Sequence, residues 1–457
     1  MKKNALHRRD FLRGTLAGGA GLAAFGGFDP RRQLSIAQMM NPDAPERFYI
    51  FCYFSGGWDV LLGLDPRDPR EFPSETESIR DTRIQPGYET LQLADADVVR
   101  GTDNITFGPF IGDLQRHASK MAIIRGMNME SVAHEAGRRR FLTGRPPSGT
   151  FARGSSGATW LAGHFGGHEL IPNLSLRVES YNKDMPNYAT ALRVNAVPDL
   201  LRALRPAEPL LSPRQRRQLG LALTDAANCP TAKVSGAWQK AEFARNKARQ
   251  MVTEGVDSLF DFGAQNQAMR DIRDHYGFNR VDNSAGVSAA LAAKAIMGGV
   301  SRCVTVNIAS GLDSHDGANW TAQHGPRQQR GFDAIAKMVD ELADNEYRDG
   351  RSWLQHTYIV GFSEFSRTPL LNANGGRDHH ITNSVFVLGG DVRGDQIIGG
   401  SSNVGMQALL VDRATGRPSP GGEIIKPEHV WRTLFDEVGI DDSPDLRVQR
   451  LESLLGA

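Results

Sequence analysis

Four short stretches of this chain gather carboxylates and imidazoles at the ends of apolar runs. Glu364 follows the run Thr357-Tyr-Ile-Val-Gly-Phe-Ser363, and a Gly375-Gly-Arg loop then presents Asp378, His379 and His380. Asp313, His315 and Asp316 follow Cys303-Val-Thr-Val-Asn-Ile308. Asp59 closes Ser55-Gly-Gly-Trp-Asp59, directly after Arg47-Phe-Tyr-Ile-Phe-Cys-Tyr-Phe54. His134 and Glu135 open a stretch that continues as Arg138-Arg-Arg-Phe-Leu-Thr-Gly-Arg145. Imidazole nitrogen with carboxylate oxygen is a donor set for zinc, manganese or iron. Taken singly, each stretch also fits ordinary cap, turn or surface chemistry. Three of the four follow strand-like runs, and strand tips are where open α/β sheets place ligands.

The elements that must position these groups alternate between two periods. Near-continuous apolar runs at 47–54, 121–125, 174–178, 303–308, 357–363 and 384–388 read as buried strands. Residues 109–117, 133–143, 157–165, 288–297 and 331–342 read as helices, and 66–106 as an irregular insertion rich in Pro, Asp, Glu and Arg. Residues 199–275 are charged and helix-favouring, which predicts a helical insertion. The expected fold class is α/β: a largely parallel central sheet with helices on both faces.

The first residues read as an address. Arg8-Arg9 precedes a short Gly/Ala-rich apolar run, the pattern of a twin-arginine export signal. Ser35-Ile-Ala37 offers a cleavage site that makes Gln38 the first mature residue, so residues 1–37 are a signal and 38–457 a single domain. The expected location is the periplasm or cell envelope, with the twin-arginine machinery as one partner. A net charge of +1 argues against nucleic acid and against anionic membrane surfaces as partners. Cys52 and Cys303 lie inside strand-like runs as small core residues; with Cys229 they form no disulfide framework and no zinc knuckle.

Beyond these residue-level readings, the chain resembles a bacterial exported family catalogued as domain of unknown function fifteen-oh-one. The resemblance rests on Gly56-Gly-Trp-Asp59, His134 with Thr143-Gly144, Asp313-Ser-His315, Ser363-Glu-Phe-Ser-Arg-Thr-Pro369, Gly376-Arg-Asp-His379 and Gly389-Gly-Asp-Val-Arg-Gly394. That family is in turn similar to the alkaline phosphatase and sulfatase superfamily. Leu142-Thr-Gly-Arg145 is similar to the end of the sulfatase nucleophile segment, which puts His134 where a cysteine or serine would stand. Phe365 stands where the superfamily has a metal-binding histidine. The resemblance implies an alkaline-phosphatase-like fold and a divalent metal ion (zinc, manganese, iron or calcium). Asp59, Asp313, His315, Glu364, Asp378 and His379 are the candidate ligands. It implies hydrolysis of a small sulfate or phosphate ester by metal-bound water, with His134 as base or anion binder and Arg138 or Arg367 as oxyanion contact. The competing expectation is a non-catalytic envelope protein that keeps the fold to bind a partner.

Overall fold

The computed structural model describes residues 45–93, 98–149, 151–205, 212–231, 236–441 and 446–456. The export signal expected over residues 1–37 lies outside them. The central sheet is built from β1 (Phe48–Phe54), β2 (Met121–Asn128), β3 (Asn173–Leu176), β4 (Leu192–Val194), β5 (Cys303–Ala309), β6 (Thr357–Ser363), β7 (Thr382–Gly389) and β8 (Gln396–Gly399). Their order is β8-β2-β7-β6-β1-β5-β3-β4. Every pairing is parallel except those of β7, which runs antiparallel to both β2 and β6.

Both faces of the sheet are covered, which is why the strands read as unbroken apolar runs. Phe48, Ile50, Cys52 and Phe54 of β1 pack into one core with helices α7 (Ala285–Met297) and α8 (Gly325–Asp344). Tyr49, Phe51 and Tyr53 pack into the other with α1 (His134–Thr143), α2 (Gly157–Phe165) and α9 (Pro427–Glu437). The segment between the two halves of the sheet is helical in its described parts: α3 (Val197–Leu204), α4 (Pro213–Asn228), α5 (Gly236–Thr253) and α6 (Gln267–Tyr276). No helix of the described residues is long and apolar enough to cross a membrane.

Two features of the topology position the site. Phe54 pairs with Ser363 on one side and Ala309 on the other, so β1, β5 and β6 end level with one another. From β6 the chain does not cross back over the sheet. It loops at the C-terminal edge through residues 364–381 and descends as β7, which makes β7 antiparallel and leaves Glu364 and His379 at the same edge.

Some expectations are corrected. The helix read at 109–117 is present, shifted to 112–120 and of 3-10 type; it starts at Gly112, whose φ of +58° is foreign to an α-helix. The short strands β4 and β8 carry too little pattern to be read from sequence. The irregular insertion at 66–106 holds a short helix, Thr76–Thr82, and a two-stranded ribbon, Val99–Arg100 with Thr106–Phe107.

Candidate metal centre

Four segments converge above the ends of β1, β5 and β6, and small residues let them approach. Gly56 holds φ +113°, and a side chain there would strike the backbone of Leu312 and Asp313 at 2.6–2.8 Å. Gly137 lies one turn after His134, and a Cβ on it would meet the carbonyl oxygen of Glu364 at 2.3 Å. Without these glycines the β1 tip, the Asp313 loop and α1 would stand apart.

Three imidazoles aim their Nε2 atoms at one carboxylate. His134 Nε2 is 3.3 Å from Asp313 Oδ2, while His315 Nε2 and His379 Nε2 lie 3.0 and 3.4 Å from Asp313 Oδ1. His315 Nε2 and His379 Nε2 are 3.0 Å apart. The donor atoms of His134, Asp313 and His379 all lie within 4.8 Å of one another, an arrangement able to hold a metal ion. Phe365, fully buried, floors the cluster with its ring 4.8 Å from that of His134 and 4.2 Å from that of His379.

The opposite nitrogen of each ring is tied to an acceptor. His134 Nδ1 donates to Glu364 Oε1 at 2.8 Å, His315 Nδ1 to Asp378 Oδ1 at 2.8 Å, and His379 Nδ1 to the Val132 carbonyl at 2.7 Å. Hydrogen bonds from His134 and the Gly56 N–H outweigh burial and hold the Glu364 carboxyl below its ordinary range. The hydrogen bond from His315, then that from Asn372, does the same for Asp378. Both are therefore acceptors at neutral pH, and each Nδ1 must carry the proton. In the neutral tautomers the three Nε2 lone pairs then face one another and an anion. This is the tethering that fixes histidine ligands toward a metal. A proton on His134, whose pKa is raised first by its hydrogen bond to Glu364, is the other source of positive charge. Burial lowers the pKa of His379 and favours its neutral, ligating form.

Arg367 secures Asp313 from below. Burial opposes charge on Asp313, but hydrogen bonding and attraction to the Arg367 guanidinium outweigh it and hold that carboxyl down to about 2. All five N–H groups of Arg367 are spent. Nη2 donates to Asp313 Oδ1 at 2.6 Å and to the Gly56 carbonyl; Nε reaches the Gly57 carbonyl at 3.1 Å; Nη1 reaches the Arg377 carbonyl at 3.0 Å and faces His315 Nε2 at 3.4 Å. Its side chain is fully buried. The expectation of Arg367 as an oxyanion contact is corrected on this ground: it has neither a free N–H nor access. Arg138 points elsewhere, with Nε on Glu179 Oε1 at 2.9 Å.

Of the six expected ligands, Asp313, His315 and His379 meet at the centre, while Glu364 and Asp378 orient histidines from behind. Asp59 is withdrawn. It is fully buried, paired with Arg377 Nε at 2.9 Å, and accepts the Trp320 indole N–H at 2.9 Å and the Leu61 N–H at 3.1 Å. Asp316 caps a short turn by accepting from Asn319. His134 joins the donor set, because it is the first residue of α1 and that helix docks on Glu364. Sequence reading missed His324. A π-helical turn, Trp320–His324, buries it against Ser314, with Nδ1 2.7 Å from Ser314 Oγ, while its Nε2 accepts the Asp59 N–H at 3.0 Å. Burial pushes its pKa down to about 4, so it serves as a neutral brace for the 313–315 loop. No motif marked it; its chemistry comes only from the helix that folds over the loop.

Comparison with known proteins gives a family and a set of structural likenesses. The family described as "Protein of unknown function (DUF1501)" has a model that matches residues 47–412. No curated protein matches the chain by sequence. Among solved structures, the chain is similar to the PsFucS1 sulfatase from Pseudoalteromonas sp., at 11% identity and TM-score 0.37, covering 92% of this chain and 74% of that one. It is similar to Ps i-CgsB in complex with k-i-k-neocarrahexaose, at 10% identity and TM-score 0.37, covering 89% and 75%. It is also similar to the lipoteichoic acid synthase LtaP from Listeria monocytogenes, at 8% identity and TM-score 0.34, covering 92% and 82%.

Proposed function

For this chain, which belongs to the DUF1501 family, we propose an exported metal-dependent hydrolase of sulfate or phosphate esters. The observation that carries the reading is the convergence of three tethered imidazoles on the carboxylate of Asp313. The donor chemistry fits a divalent ion: neutral nitrogens and one anionic oxygen, each ring held by a partner on its far side. His134, Asp313 and His379 would hold the ion. A bound divalent ion supplies Lewis acidity toward a phosphoryl or sulfuryl oxygen and lowers the pKa of water.

The chain's own residues do the rest. Glu364 and the Val132 carbonyl keep two rings in the ligating tautomer. Arg367 keeps Asp313 ionised and in place. We assign water as the nucleophile, because α1 begins with His134 and its first turn carries no hydroxyl; the nearest before it, Ser131 Oγ, accepts the Ala133 N–H at 3.2 Å. The Arg8-Arg9 pattern supports export through the twin-arginine pathway to the envelope.

The same missing hydroxyl favours a second reading, a non-catalytic envelope protein that binds a ligand through the metal. Metal analysis of the purified chain, with turnover of aryl sulfate and aryl phosphate, separates the two. Stoichiometric metal and ester turnover, both lost in His379→Ala, are expected. Metal without turnover on any ester supports the binding protein, and a correctly folded chain that takes up no metal rejects both.

A further inference from the structure

Most guanidiniums at this edge of the sheet already face a carboxylate. Arg367 is buried on Asp313, Arg377 is buried on Asp59, and Arg138 and Arg139 share Glu179. Arg327, in the first turn of α8, has only neutral acceptors. Its Nη1 donates to the Gly311 carbonyl at 2.6 Å and its Nη2 to Gln323 Oε1. Those bonds spend two of its five N–H groups, and no carboxylate among the described residues pairs with it. Its Nε has no acceptor there and is not shut away from solvent. A string of hydrogen bonds aims the side chain. Asp316 Oδ2 accepts from Asn319 Nδ2 at 2.7 Å, Asn319 Oδ1 from Gln323 Nε2 at 3.3 Å, and Gln323 Oε1 from Arg327. The string runs through the π-helical turn Trp320–His324, a distortion frequent at functional sites. The guanidinium then lies against Gly311, whose φ is +75°; a Cβ there would strike Nη1 at 2.8 Å and Cζ at 3.2 Å. Gly311 stands two residues before Asp313, so their Cα atoms are no more than about 7 Å apart. Ser310, Gly311 and Asp313 are all exposed.

We propose that Arg327 is the contact for the sulfuryl or phosphoryl oxygens of the substrate, the role that Arg367 and Arg138 do not fill. The inference rests on the ester-hydrolase reading and adds a residue to it. The planar fork of a guanidinium matches two oxygens of a tetrahedral oxyanion. A side chain that only clamped the loop would need the bonds to Gly311 and Gln323, but neither the charge nor the unspent N–H groups. The string from Asp316 holds the fork in place before an anion arrives, which lowers the entropy cost of binding.

The test uses the full chain loaded with the metal found on purification. Calorimetry measures the binding of inorganic sulfate and inorganic phosphate. In parallel, kcat and KM are measured on para-nitrophenyl sulfate and para-nitrophenyl phosphate. Arg327→Met should weaken the better-bound anion by about tenfold or more, the worth of a charge-assisted hydrogen bond, with a matching fall in kcat/KM. Its metal affinity in a chelator competition should equal that of wild type. Arg327→Lys keeps the charge without the fork and should recover part of the loss. Gln323→Met releases the guanidinium from the string and should weaken the anion by about threefold. Anion binding and kcat/KM unmoved in Arg327→Met would overturn the inference while the hydrolase reading stands. Loss of metal in Arg327→Met would also overturn it, since Arg327 would then be a clamp on the Asp313 loop. Should Arg327→Met not fold, unchanged anion binding in Gln323→Met overturns it instead. If the metal-loaded wild type binds neither anion and turns over neither ester, the hydrolase reading falls and takes the inference with it.

Discussion

The two edges of the central sheet carry charge clusters of opposite character. At the N-terminal edge, Glu46 accepts from Tyr347 at 2.6 Å and Arg348 at 2.7 Å, and Arg302 bonds the Arg47 carbonyl at 2.8 Å and pairs with Glu169. Arg47 pairs with Glu437 at 2.7 Å, and His356 bridges the Glu46 carbonyl and Asp349 at 3.1 and 3.0 Å. Each guanidinium there meets a carboxylate of the protein, although Arg302 Nε, Glu169 Oε2 and Glu437 Oε2 are buried without a hydrogen-bond partner. At the C-terminal edge, three Nε2 atoms converge on one carboxylate, with Arg367 donating to Asp313 and facing His315 from below. Both edges gather charge; on the metal reading proposed above, only the C-terminal one is to be completed by an ion from outside the chain. On that proposal the difference separates a structural ion network from a binding centre, and composition at the two edges does not reveal it.

The largest test of this contrast is at the N-terminal edge. Arg302→Met removes one partner from a buried network and should cost about 3–5 kcal/mol of stability in chemical denaturation. Metal content per folded molecule should stay unchanged, and a loss of metal would mean that the two edges are coupled. Gly137→Ala should cost about 1–3 kcal/mol, because its methyl group must displace the Glu364 backbone. Unlike Arg302→Met it should also lower metal uptake, since α1 carries His134; unchanged uptake would remove His134 from the donor set. Glu364→Gln keeps the shape but not the charge behind His134. Metal affinity should fall about 10–100-fold in a chelator competition, with melting temperature little altered; an unaltered affinity would make Glu364 a packing residue. Ser131→Ala should be nearly silent, within about 0.5 kcal/mol in stability and without effect on turnover. Loss of turnover with metal retained would make Ser131 a covalent nucleophile and displace water from that role.

Much of the frame was legible because buried parallel strands leave a strong sequence trace. The runs at 47–54, 303–308 and 357–363 coincide with β1, β5 and β6 to within a residue at each end. Helices α1 and α2 fall where the pattern puts them, and α8 runs further than its apolar stripe, to Gly325–Asp344. The direction of β7 was not legible, because an apolar run has no polarity; the loop before it, staying at one edge, sets the direction. The candidate residues were legible as types at strand tips. Their division into centre, tether and counter-charge was not.

Asp59 and Asp313 make the point. Both are aspartates just past a buried strand, next to glycine-containing turns, and the sequence assigns them the same role. Tertiary structure gives Asp59 to Arg377 and Trp320 in the interior and Asp313 to three imidazoles at the surface. The sequence by itself determined the alternation of strand and helix, the buried faces and the reservoir of ligating side chains, since burial and periodicity are local properties of the chain. Only the tertiary structure decided that Asp59 is sealed in the interior with Arg377, while Asp313, held by Arg367, also turns an exposed edge to three imidazoles. That choice depends on partners from other elements, such as Trp320 and Arg377 for Asp59 and His134 and Arg367 for Asp313, and on glycines at 56 and 137 that let backbones approach within 3 Å of where a side chain would stand.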